Sequence, residues 1–316
     1  MKDSLKITVG ISSCLLGEQV RYDGGHKHNA YISKTLGEYF EFVPFCPETA
    51  IGLGVPRETL RLVQQGTSVH CVGNRTAGLD VTDRLIGSAD AQRTVHQSLC
   101  GYILKKDSPS CGMERVRVYQ GEQPQRTGMG LFAQRLQQNF PFLPLEEEGR
   151  LGDPVLRENF IQRVFVLHRW KQMVAGGIGA AAIMQFHARH KLILMSHDQT
   201  AYRQLGQLVA QLTDWDLNQF CEHYLQQLMD ILKIPATRSN HVNVLQHIQG
   251  YLKRDLDKED KQELSETISQ YRNGLVPLIV PITLLRHHFR KCPNDYILAS
   301  YYMNPHPAEL MLLNHL

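Results

Sequence analysis

Lys6-Ile-Thr-Val-Gly-Ile-Ser-Ser-Cys14 is an apolar run that ends in a cysteine at a turn, and two later segments repeat this arrangement. The second is Phe40-Glu-Phe-Val-Pro-Phe-Cys46, and the third is Gly101-Tyr-Ile-Leu-Lys-Lys-Asp-Ser-Pro-Ser-Cys111. Segments with helical spacing separate the three runs, which favours a parallel α/β sheet. Ligands of such sheets gather outside the carboxyl ends of the strands. The sequence therefore predicts that three thiols, far apart along the chain, meet at one edge of the sheet.

Length and composition place the chain among soluble globular proteins. Its 316 residues are enough for about two domains, and the fractions of hydrophobic (42%) and charged (21%) residues are ordinary for that class. The net charge of +3 is too small to establish a nucleic-acid partner. No secretory leader and no apolar run of about 18–20 residues is visible. We therefore expect a cytoplasmic protein with no membrane partner, whose seven cysteines are ligands, reactive groups or core residues rather than disulfides.

The segment 141–153 is rich in proline, glycine and acidic residues and indicates a domain boundary. We predict an α/β domain over residues 1–150, with a parallel, Rossmann-like sheet, and an all-α bundle over residues 154–316. Asp153-Pro154 has the pattern of a helix N-cap followed by proline at the first helical position. Further predicted elements are strands at 68–72 and 116–119, and helices at 30–39, 82–100, 181–197, 200–212, 214–233, 241–256 and 265–291, the last divided by Pro277 and Pro281.

The three turn cysteines differ from the other cysteines of the first domain. Cys71 falls inside a short strand and Cys100 at the end of an apolar helix face, as expected of small core residues. Serines and charged residues surround the turn cysteines, which is typical of a reactive pocket rather than a core. Three soft ligands without an obvious fourth indicate a metal or iron–sulfur centre with one open position. Three packed or incidental thiols are the alternative.

Five motifs of the first domain share their order and residues with a known family. They resemble the thiouracil desulfidase family through Ser12-Ser-Cys-Leu-Leu-Gly17, Val20-Arg-Tyr-Asp-Gly-Gly-His-Lys27, Phe45-Cys-Pro-Glu48, Pro56-Arg57 and Lys106-Asp-Ser-Pro-Ser-Cys-Gly112. The resemblance implies that Cys14, Cys46 and Cys111 hold a 4Fe–4S cluster whose fourth iron has no protein ligand.

The second half resembles a helical domain that is often fused to this family. The resemblance is carried by Phe186-His-Ala-Arg-His-Lys191, Asn243-Val-Leu-Gln-His-Ile-Gln-Gly-Tyr251 and Gly274-Leu-Val-Pro-Leu-Ile-Val-Pro281. The fused form is similar to bacterial enzymes that remove sulfur from 4-thiouridine in tRNA. The resemblance therefore implies a tRNA partner that carries thiolated uridine, and small thiolated bases or nucleosides are further possible substrates.

The expected reaction needs a general base near the thiols. An open iron is a soft Lewis acid that suits a thiocarbonyl sulfur, and water can then attack the attached ring carbon. The oxidation state of that carbon does not change, so the expected reaction is hydrolytic. Glu48 is the candidate base, Ser108 a candidate for positioning water or relaying a proton, and Asp23 a second candidate base. Ser110 is the weaker serine candidate because it adjoins a ligand directly.

Clustered cations indicate where a folded RNA would bind. Lysine and arginine contacts to phosphates add affinity without reading sequence, and the target base must leave its stack to reach the strand ends. Solvated helix faces are the alternative interpretation of such clusters. The candidate substrate-binding or tRNA-binding residues are Arg21, Asp23, Lys105, Lys106, Arg189, Lys253, Arg254, Arg286 and Arg290.

Two other functional classes stay open at this point. One is a sulfurtransferase in which a cysteine carries a persulfide, and the other is a non-catalytic regulator with structural zinc and a helical partner-binding domain. Iron and sulfide content separates both from the cluster enzyme. The sequence does not fix the oligomeric state.

Overall fold

The computed structural model describes residues 6–121, 123–310 and 312–314. The chain divides after Asp153 into two compact units, the second of which begins at Pro154. Among the described residues, no helix combines the length and the apolar character that a membrane crossing requires.

The first unit is built from strands and short helices. In chain order these are β1 (Ile7–Ser12), β2 (Phe40–Phe45), α1 (Pro47–Ala50), β3 (Leu60–Gln65), β4 (Ser68–Gly73), α2 (Thr82–Ala91), α3 (Arg93–Ser98), β5 (Tyr102–Leu104), β6 (Val116–Gln120), β7 (Gln123–Gly128), α4 (Leu131–Asn139) and β8 (Leu145–Glu147).

The first sheet has the strand order β2-β1-β5-β8, and all of its pairings are parallel, which confirms the predicted α/β class. Central strand β1 is buried along almost its whole length, as parallel strands covered on both faces are. Gly10 allows the close packing here, because a Cβ at this position would lie 2.3 Å from the ring of Tyr102. Ser12 pairs with Phe45 at the ends of β1 and β2, so the chain leaves both strands at the same edge.

A second sheet was not foreseen from the sequence. Its order is β4-β3-β6-β7, with antiparallel pairs at both sides and a parallel pair between β3 and β6. The strands predicted at 68–72 and 116–119 belong to it. Its core holds Leu62, Cys71, Val81, Leu85 and Val118. Cys71 is therefore a packed core residue with a fully buried side chain.

The short helix predicted at 30–39 is present, as a π-helical turn, Tyr31–Thr35, followed by a 3₁₀ turn, Leu36–Glu38. Two local predictions for the first unit were wrong. The helix predicted at 82–100 breaks at Gln92 into α2 and α3. The strand predicted to run up to Cys111 ends at Leu104, and a polar loop carries the chain to the cysteine.

The described part of the second unit is helical throughout, which confirms the all-α prediction. It contains α5 (Pro154–Ala175), α6 (Ala180–His197), α7 (Gln199–Ala210), α8 (Leu217–Lys233), α9 (Arg238–Tyr251), α10 (Lys258–Arg272), α11 (Ile279–Lys291) and α12 (Asp295–Ala299).

Helix ends in this unit follow ordinary capping chemistry. Pro154 is the first residue of α5, and the predicted segment 265–291 is divided at Asn273 to Leu278 into α10 and α11. The side chain of Asp257 accepts the N–H of Asp260, so α10 starts seven residues before the predicted position. In the core, Trp170 of α5 stacks on Tyr224 of α8 with ring centroids 5.3 Å apart.

Candidate active site

The structure brings the three turn cysteines together. Cys14 lies in a 3₁₀ turn directly after β1, Cys46 is the N-cap residue of α1 directly after β2, and Cys111 follows β5. All three are free thiols that line one pocket. Cys14 and Cys111 are buried, with 8% and 6% of their surface exposed, whereas Cys46 is half-buried. The strand-end placement of the thiols is thus realised at one edge of the first sheet.

The thiols interact electrostatically. Burial, with the proximity of Cys46 as the next largest cause, raises the pKa of Cys14 to about 11. Burial likewise raises the pKa of Cys111, with Cys46 the next largest cause. Thiolates so placed repel one another, and a bound cationic centre would offset that repulsion and deprotonate the thiols. Three soft donors in a common pocket therefore fit an iron–sulfur cluster.

Within the described ranges, no three His, Cys, Asp or Glu side chains lie close enough to hold one metal ion.

Glu48 is held in the same pocket by Arg57. The Nε and Nη2 atoms of Arg57 donate to Glu48 Oε2 at 2.9 and 2.6 Å. The two side chains are shielded from solvent, with 5% of Arg57 and 14% of Glu48 exposed. These two charge-assisted hydrogen bonds go to one oxygen and hold Oε2 in place. The sequence placed Arg57 near the site but gave it no partner, because the two residues meet only through the turn after α1.

Two serines complete the environment of Glu48. Ser110 Oγ donates to Glu48 Oε1 at 2.6 Å, and Ser108 Oγ lies 2.9 Å from Ser110 Oγ. Since the hydroxyl proton of Ser110 is directed to Glu48, Ser108 donates to Ser110. Ser108 Oγ in turn accepts the backbone N–H of Cys111 at 3.1 Å. The hydrogen-bonded chain therefore runs from Ser108 through Ser110 to the carboxylate.

The order of these serines differs from the sequence-based ranking. Ser110 lines the pocket with Glu48, whereas Ser108 supports it from behind. Ser108 also accepts the N–H of Ser110, at 3.3 Å, which ties the loop before Cys111 into a tight turn. The sequence favoured Ser108 because Ser110 adjoins a predicted ligand. The sequence Ser108-Pro-Ser110 indicated a turn in which the two hydroxyls lie close together.

Four residues of the first unit were predicted to bind substrate: Arg21, Asp23, Lys105 and Lys106. Of these four, Arg21 lines the pocket and the other three do not. The Nε atom of Arg21 is buried and makes no hydrogen bond to any described residue, but it lies 3.7 Å from Asp23 Oδ1 in an ion pair. Asp23 lies outside the lining, where it is half-exposed and accepts the N–H of Gly25. The backbone N–H of Gly25 lowers the pKa of Asp23. This placement argues against Asp23 as the base.

Lys105 and Lys106 are occupied elsewhere in the first unit. Lys105 Nζ forms an ion pair with Glu148 Oε1 at 2.5 Å, and both side chains are largely buried. Lys106 is exposed, and its backbone N–H donates to Glu148 Oε2 at 2.7 Å. Neither lysine lines the pocket of the thiols.

The predicted RNA-contacting cations of the second unit fall into two groups. Arg189 Nε donates to the carbonyl of Ala299, and its guanidinium lies over the ring of Tyr301 at 4.2 Å. Arg286 donates two hydrogen bonds to the carbonyl of Met303. These two arginines hold the helical unit together. Lys253, Arg254 and Arg290 are exposed.

Comparison with known proteins adds two family matches. Residues 9–148 match the model of the 2-thiouracil desulfurase family, and residues 191–307 match a family described as a protein of unknown function, DUF1722.

Two curated relatives are similar in sequence. The chain is 32% identical over 151 residues to the uncharacterized protein YbgA of Escherichia coli K12, covering 48% of this chain and 89% of that protein. It is also 32% identical over 136 residues to the uncharacterized protein YbbK of Bacillus subtilis 168, covering 40% of this chain and 88% of that protein.

A solved structure of a 4Fe–4S-dependent thiouracil desulfidase, TudS, is 32% identical in sequence, covering 47% of this chain and 95% of that chain, with a TM-score of 0.38. The assignment rests on the family model and on sequence identity. The chain belongs to the 2-thiouracil desulfurase family. It is an enzyme, with a helical unit of the DUF1722 type after the desulfurase domain.

Proposed function

We propose that this enzyme hydrolyses the carbon–sulfur bond of 4-thiouridine in tRNA, yielding uridine and hydrogen sulfide. The observation that carries the proposal is the pocket in which three free thiols face a carboxylate held by Arg57 and Ser110. Its setting in a chain of the 2-thiouracil desulfurase family supports a thiolated uracil as the reacting group.

Cys14, Cys46 and Cys111 would hold a 4Fe–4S cluster, which when bound supplies an open iron as a soft Lewis acid for a thiocarbonyl sulfur. Dependence of the TudS relative on such a cluster supports this. Because the thiol pKa of Cys14 is raised to about 11, loading releases protons and is favoured by higher pH.

Glu48 would act as the general base. Glu48 lines the pocket, and its Oε1 atom would accept a proton from the attacking water while Arg57 keeps Oε2 occupied. Ser110 would orient Oε1, and Ser108 would hold Ser110 in place. The oxygen of water replaces sulfur on the ring carbon, and sulfur leaves as hydrogen sulfide. The oxidation state of the ring carbon does not change, so the reaction needs no electron donor or acceptor.

Two residues of the pocket wall suit a nucleobase. Tyr22 lines the pocket with 40% of its surface exposed, and an exposed aromatic ring is a stacking surface for a base out of its helix. The buried Nε of Arg21 offers a hydrogen bond to an oxygen of the substrate. Both residues favour a planar heterocycle with a hydrogen-bond acceptor.

The assignment of tRNA rather than a free base rests on the helical unit. This unit has 17 Lys and Arg residues against 14 Asp and Glu residues, so it contains the whole formal net charge of +3. The exposed Lys253, Arg254 and Arg290 would contact phosphates, which adds affinity for a folded RNA independently of its sequence.

The raised thiol pKa values of Cys14 and Cys111 speak against either of these two cysteines as the persulfide carrier of a sulfurtransferase. A persulfide carrier needs a reactive thiolate near neutral pH, and burial in this pocket disfavours that form at Cys14 and Cys111.

Anaerobic purification, iron and sulfide analysis, and an assay of hydrogen sulfide release test the proposal. We expect about four irons per chain and faster desulfuration of 4-thiouridine tRNA than of free 2-thiouracil. A protein without iron, or one that acts on the free base and leaves the tRNA untouched, contradicts it.

A further inference from the structure

The helical unit contains a polar cavity of about 180 Å³, large enough for several water molecules or a small ligand. Four helices and the segments beside them form it. Its lining consists of Val155, Glu158, Asn159, Gln162, His197, Ala236, Arg238, His241, Tyr271 and Leu278. Seven of these ten residues are polar or titratable. The function proposed above assigns nothing to this cavity.

Arg238 is the charged group of the cavity that lacks a counterion. It is the first residue of α9, and its guanidinium makes no hydrogen bond or ion pair with any residue the structure describes. The guanidinium lies 5.5 Å from the centre of the Tyr271 ring. Gly274, at φ +75°, leaves it space, since a Cβ there would come within 2.4 Å of Arg238 Nη1. An arginine so placed presents its planar fork to a ligand.

Glu158 does not neutralise this arginine at neutral pH. Its Oε2 atom is buried, and burial raises the pKa of the carboxyl to about 8, so the group is protonated at pH 7. Arg157 on the same helix opposes that rise. A protonated carboxyl is a hydrogen-bond donor with no charge to repel an anion.

The other titratable groups of the lining carry no negative charge at neutral pH. Burial lowers the pKa of His197 to about 4, so its ring is neutral. His241 is hydrogen-bonded to the hydroxyl of Tyr302 at 2.8 Å. Burial raises the pKa of Tyr271, which keeps its hydroxyl protonated. The electrostatic character of the cavity at pH 7 is therefore positive.

We propose that this cavity binds a phosphate-type oxyanion, either the free ion or the phosphate of a nucleotide. Arg238 supplies the charge and the two-pronged hydrogen bond that phosphate oxygens accept. The first turn of α9, a helix of 14 residues, adds its N-terminal dipole on the same side. Glu158 and Tyr271 supply uncharged hydroxyl donors.

The binding should weaken as Glu158 ionises. Below pH 8 the carboxyl is neutral, and above it a negative charge faces the bound anion. Repulsion between like charges in a partly shielded site costs about 1–2 kcal/mol, or about tenfold in affinity. Sulfate is the suitable probe, because its own charge stays constant over this pH range.

Calorimetric titration of the full chain with sulfate, inorganic phosphate, uridine monophosphate and uridine tests the proposal. We expect sulfate to bind at pH 7 and about tenfold more weakly at pH 9. Arg238→Gln should abolish binding and Arg238→Lys should weaken it, since lysine keeps the charge but lacks the fork. Arg272→Gln, at an exposed arginine of α10, is the matched control and should bind normally. Glu158→Gln should bind sulfate equally at both pH values.

The source of the phosphate follows from the ligand series. A nucleotide is the ligand if uridine monophosphate binds more tightly than inorganic phosphate, and the free ion is the ligand if the two bind equally. Thermal melting of each variant separates lost binding from lost folding. The proposal is overturned if no anion binds at millimolar concentration, if folded Arg238→Gln binds sulfate like the parent, or if uridine binds as tightly as its monophosphate.

Discussion

Ser110 donates its hydroxyl proton to Glu48 Oε1 at 2.6 Å, although the two residues lie 62 positions apart in the sequence. Arg57 occupies the other carboxylate oxygen with two hydrogen bonds. The carboxylate is thus held from both sides, and Glu48 lines the same pocket as the three thiols. A base whose position is fixed before the substrate arrives loses little freedom in the reaction.

Glu48→Gln separates proton transfer from cluster binding. The amide keeps the shape of the side chain but cannot accept a proton, so turnover should fall by about 10²-fold or more. The visible absorption spectrum and the iron content should stay close to those of the parent. Glu41→Gln, at an exposed position of β2, is the control. Near-normal activity of the Glu48 variant would show that another group is the base.

Ser110→Ala and Ser108→Ala test the order of the serine chain. Ser110 contacts Glu48 directly and Ser108 acts through it, so the Ser110 variant should lose more turnover. The Ser108 variant also leaves the N–H of Cys111 without its acceptor, and its cluster should be lost faster in air. The reverse ranking in activity, with both clusters intact, would favour Ser108 as the group that meets the substrate.

The cysteines divide into ligands and core residues in a way that iron analysis can check. Alanine at Cys14, Cys46 or Cys111 should remove the cluster or leave it unstable, because two thiolates hold it poorly. Alanine at Cys71 or Cys100, both buried, should leave the iron content nearly unchanged. Loss of iron from the Cys71 variant together with retention in the Cys46 variant would refute the assignment.

The position of Cys14 and Cys46 at one edge of the sheet could be predicted from the sequence, because each directly follows a strand of the parallel sheet. Cys111 reached the same pocket although its strand ends at Leu104. The intervening residues are polar, and sequence pattern does not distinguish a long strand from a strand and a returning loop.

Other features depend on contacts that a linear pattern does not carry. Strand β7 is almost entirely exposed and lacks alternating apolar residues. The sequence pattern therefore does not predict this edge strand of the second sheet. Arg286 lies in a cluster of cations that resembles a solvated face, yet its guanidinium is bound to the carbonyl of Met303. Pairing of Arg57 with Glu48 is likewise a tertiary contact.

The buried histidines of the helical unit should make it sensitive to acid. Burial lowers the pKa of His187 and His197 to about 4, and that of His190 to about 3. The unfolded chain takes up protons at these positions near pH 6.5, and the folded chain does so only below about 4. Their contribution to stability is therefore complete above pH 6.5 and is lost as pH falls through this window.

His190→Phe checks this sign by thermal melting between pH 7 and pH 4. The ring of His190 stacks on Phe186 with centroids 4.0 Å apart, so phenylalanine should pack there without a titrating group. We expect a smaller fall in melting temperature with acid than in the parent. His247→Phe, at an exposed position of α9, should melt like the parent at each pH. An unchanged pH dependence in His190→Phe would mean that other groups cause the acid sensitivity.

The exposed cations of the helical unit provide the sharpest test of RNA binding. Lys253→Glu, Arg254→Glu and Arg290→Glu change side chains that are free of the structural contacts made by Arg189 and Arg286. If each original cation meets a phosphate, the combined variant releases about three fewer counterions, and the slope of log affinity against log salt should fall by about 2–3. Desulfuration of thiolated tRNA should become slower, whereas that of a free thiolated nucleoside should not.

The control is charge reversal at three exposed positions of the first unit, Lys34, Arg75 and Arg117, which gives the same change in net charge. Equal losses in both triple variants would reflect net charge alone, and full activity of the helical-unit variant at every salt concentration would place the RNA surface elsewhere.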